Sequence, residues 1–165
     1  VQPEPSVARR VRASITGWWF QPVPLARAAV FRLIVYGFIP LDVLQFRPWG
    51  AAHGDVDQAL YAPLQLARLL HLPAPTHDLV LVVRLALVLG AVALVVLIAM
   101  DRLPRTQTAV GWVVAVAYLQ WMVISFSYGK VDHDRFGFLV ALFVLPTVGR
   151  AALRDRRPSQ AAGSA

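Results

Sequence analysis

TAVGWVVAVAYLQWMVISFSY, residues 108 to 128, runs for 21 positions without a charged side chain, and the next eight residues, GKVDHDRF, carry five ionisable groups. A bilayer core needs about 20 apolar residues per helical pass. The first stretch is therefore read as a membrane span and the second as the turn where that span surfaces. The rest of the chain agrees: 58% of its 165 residues are hydrophobic and 15% charged, against about 45–50% apolar in an ordinary globular domain.

Working outward, Leu79–Met100 is a second span with Arg84 as its one charge. Leu25–Phe46 is a third, long enough but carrying Arg27, Arg32 and Asp42, so it must face protein or let its arginines reach the interface. Phe136–Leu153 makes a fourth, interrupted by Pro146 and Arg150 and expected to tilt. Between the first and second spans lies a connection too long for a plain loop. In it Leu60, Leu64, Ala67 and Leu70 recur at helical spacing, which predicts an amphipathic interfacial helix ended by LPAP at 72–75. The expected fold is an all-α integral membrane protein: four transmembrane helices over residues 25–153, with that interfacial helix in the first outer loop.

Residues 1–24 read as a polar tail and interfacial segment without the apolar core and cleavage site of a signal peptide. Residues 154–165 read as a disordered basic tail. Arg9, Arg10, Arg12, Arg102, Arg105, Arg150, Arg154, Arg156 and Arg157 fall at one end of the four-span plan, and only Arg47, Arg68, Lys130 and Arg135 at the other. Arginine and lysine favour the cytoplasmic side. A multi-pass cell-membrane protein follows, with both termini cytoplasmic and GKVDHDRF on the outer face. Topology thus accounts for the net charge of +7, and no basic aromatic surface for nucleic acid is present. Tryptophans 18, 19, 49, 112 and 121 mostly fall near span ends, where indole suits the headgroup level. With no cysteine, thiolate metal sites and disulfide chemistry are excluded.

The candidate chemistry lies at the outer end. Lys130 near a low-dielectric boundary tends to lose its proton and become a base, and His133 is placed to relay that proton. Asp132, Asp134 and Arg135 open the last helix beside them. His53 and Asp55, followed by Asp57, share this face, and Asp42 and Arg84 sit at depths that allow an ion pair near the outer end of their spans. A second reading stands beside the first: an aspartate caps the helix, the basic residues reach for the interface, and the acids neutralise them. No fixed-spacing metal motif is present, so His53, Asp55 and His133 are not assigned to a metal. Deeper in the first span, Arg32 and Tyr36 share a helical face.

Taken in order, PLARAAVFRLIVYGFIPLD at 24–42, AHGD at 52–55, LPAP at 72–75 and GKVDHDR at 129–135 resemble the HTTM family. This is the bacterial transmembrane domain related to the membrane half of vitamin K-dependent gamma-carboxylase, and the likeness runs from about Trp18 to Gly149. The resemblance implies a lysine base after a hydrophobic helix, matched here by Lys130 and more loosely by His133, acting on a quinone-like molecule. It does not carry over carboxylation of protein glutamate. Two function classes remain: an outer-face pocket for a quinone-like or lipid-like molecule with proton-coupled redox chemistry, and a noncatalytic membrane subunit or scaffold with a membrane-protein partner.

Overall fold

The computed structural model describes residues 24–129 and 133–154, together with Val7. Those residues are helical or irregular, with no strand among them. From residue 24 onward, five α-helices follow in order among the described residues: α1 Leu25–Leu41, the one-turn α2 Gln65–Leu69, α3 His77–Ala99, α4 Pro104–Phe126 and α5 Phe136–Val144. Among the described residues, three helical stretches are long and apolar enough to cross a membrane: Leu25–Phe46, His77–Ala99 and Pro104–Phe126.

The first of these changes pitch before it ends. Pro40 has no N–H to give the turn below, and beyond it Asp42–Phe46 form a widened π turn closed by the Arg47 N–H on the Asp42 carbonyl at 2.8 Å. The widening turns Asp42 and Val43 into the bundle, where both are fully buried. On α3 the Thr76 hydroxyl accepts the Leu79 N–H, capping the first turn. The connection from α3 to α4 is tight: Asp101 and Leu103 both adopt positive φ, and Pro104 takes the first helical position. Gln107 fastens it by donating to the Leu97 and Arg102 carbonyls.

The segment expected to be the fourth span differs most from expectation. Its α-helix, Phe136–Val144, has nine residues and passes into a 3-10 turn at Leu145–Thr147. Pro146 is the physical reason, since it cannot donate the N–H that would continue the helix. The segment nevertheless runs antiparallel to α1 along most of the bundle. Arg135 meets Asp42, Phe138 meets Phe38, and Leu145 meets Arg32. Its far end returns to the α3–α4 turn, where Arg150 pairs with Asp101 at 3.1 Å. The start of α1, the α3–α4 turn and residues 149–154 therefore share one end of the bundle.

The core lies between α1, α3, α4 and α5, around Tyr36, Ile39, Leu87, Leu94, Tyr118 and Leu142. Gly111 lets α4 close on its neighbours: a Cβ there would lie 3.1 Å from both the Tyr36 hydroxyl and Pro146. Outward faces are apolar too, with Ile34, Val82, Leu89, Val113 and Val140 more than half exposed. That is what lipid-facing surface requires. The outer connection is less regular than its spacing predicted. Pro63 disfavours helix at Ala62, so the amphipathic helix shrinks to Gln65–Leu69 with Ala67 as its buried residue, and Leu60 falls in a separate 3-10 turn. This connection is tied to the top of α4 by the Ala62 N–H on the Ser127 carbonyl and the Leu64 N–H on the Ser127 hydroxyl.

Candidate functional site

The end of the bundle opposite residues 149–154 is organised around Asp42. Its carboxylate is completely buried and lies 2.9 Å from the Arg135 guanidinium through Oδ1, with Arg47 at 3.9 Å. Tyr118 on α4 donates its hydroxyl to Oδ2 at 2.8 Å. One carboxylate thus joins α1, the connection after it, α4 and the start of α5. Two aromatic rings flank the cations: Arg135 lies over Phe38 at 5.5 Å and Arg47 over Trp49 at 5.7 Å.

This arrangement corrects the expected Asp42–Arg84 pair. Arg84 is half-buried on α3 and makes no ion pair among the described residues, because Asp42 points toward α4 and α5. The missed partners were Arg47 and Tyr118. Arg47 sits only five residues after Asp42, and the Pro40 break before them was the available signal.

The remaining outer candidates separate. Lys130 and Asp132 lie outside the described residues. His133 and Asp134 are exposed; His133 packs its ring near Phe136, and Asp134 approaches Arg135 at 3.7 Å without capping α5. His53 is brought against Tyr128, ring centroids 4.5 Å apart, and the Tyr128 hydroxyl donates to the His53 carbonyl. Burial, with Tyr61 beside it, holds the Tyr128 phenol above its usual range, so it keeps the proton it donates. Asp55 turns away to pair with His77 at 2.9 Å, and Asp57 caps its own turn through the Ala59 N–H. His53 and Asp55 are therefore not assembled around one point, and no cluster of three metal-ligating side chains occurs among the described residues.

Beside Arg135 a cavity of about 210 Å³ opens between α4, α5 and the overhanging Leu64 and Leu66. Leu119, Met122, Val123 and Phe126 form its α4 wall, and Phe136 and Leu139 its α5 wall. Its α4 wall begins at Leu119, seven residues and so about 10 Å below the end of that helix. The site thus combines an apolar slot reaching about two turns down α4 with the Asp42–Arg135 pair beside it. Sequence reasoning missed the slot because its walls come from three separate segments.

No family model, curated protein or solved structure matches this chain.

Proposed function

We propose that the chain is a four-pass protein of the cell membrane, HTTM-like in plan, that binds an amphipathic molecule of quinone or lipid type at its outer end. The observation that carries the reading is the apolar slot opening beside Arg135, whose guanidinium is held by buried Asp42. A chain-bearing molecule placed in the slot brings a carbonyl, hydroxyl or phosphate head to Arg135 and the residues just before it.

The four-pass count rests on the antiparallel path of residues 135–150, which reaches about 20 Å by helical rise. That is short of a 30 Å core, so the bilayer thins locally or the Arg150 end lies at its boundary. The excess of arginine at that end supports cytoplasmic termini. In the reading with chemistry, Lys130 accepts a phenolic proton from a hydroquinone head and the exposed His133 passes that proton to water.

The test compares two variants in purified protein, with bound quinone and lipid extracted and quantified. Leu139→Trp fills the slot without touching the charged cluster and is expected to empty it of chain-bearing molecules. Lys130→Ala is expected to keep the molecule bound and lose turnover. Unchanged occupancy in Leu139→Trp defeats the binding reading, and unchanged turnover in Lys130→Ala defeats the catalytic one.

A second reading, a noncatalytic membrane subunit, draws on the breadth of the apolar face of α3, where Leu81, Val82, Leu85, Leu89, Val92 and Val96 are all exposed. A stoichiometric larger complex, purified from native membranes and persisting in Lys130→Ala, favours that alternative.

A further inference from the structure

The last helix stops short of the bundle's end, and its terminal carbonyls carry the negative end of the helix dipole into the interior. Pro146 leaves no N–H to extend the ladder, and Gly149 turns the chain away with φ of +52°. Two carbonyls there are met from another helix: Arg32 on α1 donates through Nη2 to the Leu145 carbonyl at 2.7 Å, which also accepts the Val148 N–H at 3.3 Å, and to the Gly149 carbonyl just beyond at 2.9 Å. Arg32 is 4% exposed, and no carboxylate lies within ion-pair distance of it among the described residues. Arg32 also lines a small pocket of about 10 Å³ with Tyr36 and Gln107, about the room one water needs.

A charged arginine at this depth is costly unless something balances it. Here the balancing charge is backbone. Broken helices in membrane transporters present the same grouping of unwound carbonyls and a helix C-terminus, and use it to coordinate a free cation. We propose that the end of α5 is a cation site whose resident cation is the Arg32 guanidinium. The chemical class it accepts is a cation carrying N–H donors, because both carbonyls are bridged from one nitrogen. The inference is independent of what the outer slot binds.

The experiment is chemical rescue, read as the melting temperature of the full chain in detergent. Arg32→Gly removes the charged donor and leaves the Leu145 carbonyl only its longer bond from Val148, and is expected to lower the melting temperature by more than about 5 °C. Millimolar guanidinium chloride, far below denaturing concentration, should restore a substantial part of that loss with saturation. Tetramethylammonium chloride, which has no N–H, should restore none, and the wild type should respond to neither. Equal response to both salts, or none to guanidinium, overturns the proposal.

Should Arg32→Gly fail to fold, Arg32→Met and Pro146→Ala supply a double-mutant cycle. Alanine at 146 returns an N–H and allows the helix to continue, so Pro146→Ala should offset part of the Arg32→Met loss. Strict additivity of the two substitutions also overturns the proposal.

Discussion

Two arginines, Arg32 buried and Arg135 partly exposed, link α1 to the last helix, and they are neutralised in opposite ways. Arg135, at the Asp42 end of the bundle, answers a side-chain carboxylate that is itself fully buried. Arg32, about 15 Å along α1 by helical rise, answers two backbone carbonyls at and just beyond a helix end. The first arrangement needs a carboxylate brought inward by a π turn, and the second needs only a proline at the right depth. A point charge is more sensitive to loss of its partner than a set of dipoles, so the outer site should be the more brittle of the two.

The largest expected effect tests that brittleness directly. Asp42→Leu removes the buried carboxylate that Arg135 and Arg47 share, and a loss of about 3–5 kcal/mol in unfolding free energy is expected. Adding Arg135→Met to it should recover part of the loss. If the double variant is instead less stable than Asp42→Leu alone, the carboxylate is not the organising charge. Next in size is Gly50→Ala. Its Cβ would fall 2.5 Å from the Trp121 ring, and overpacking costs of about 1–3 kcal/mol follow. An unchanged melting curve would mean that the outer connection is not seated as described.

Tyr118→Phe removes one hydrogen bond from Asp42 while keeping the ring against Phe138. A loss of about 1–2 kcal/mol is expected, well below that of Asp42→Leu. Equal losses would show that the tyrosine, not the guanidinium, holds the carboxylate. The smallest effect belongs to Arg150→Gln. Its pair with Asp101 is solvent-exposed on both sides, so less than about 1 kcal/mol should be lost, and less still in high salt.

The difference between the two arginine sites also explains what could be read from the linear chain. The three long spans were legible because length and absence of charge are properties of consecutive residues: Leu79–Met100 and Thr108–Tyr128 correspond to His77–Ala99 and Pro104–Phe126 within two to four residues. The partner of Asp42 was not legible. Arg84 lies at a plausible depth, but a helix turns about 100° per residue, and facing direction is fixed only once helices pack. Pro146 was visible in the sequence and was read as tilt. Its actual effect, a shortened helix with its carbonyls offered inward, depended on Arg32 more than a hundred residues away. Trp121 went the same way: its position near a span end suggested the headgroup level, yet it is completely buried against Gly50.

That burial gives the molecule a built-in optical gauge. The Trp121 indole is dry and its N–H has no hydrogen-bond partner among the described residues, while Trp49 and Trp112 stand largely in the open. In a variant with the other four tryptophans replaced by phenylalanine, emission should be blue-shifted and shielded from aqueous quenchers while residues 48–54 sit on the bundle. A shift to the red would report the moment that cover lifts, with no label attached.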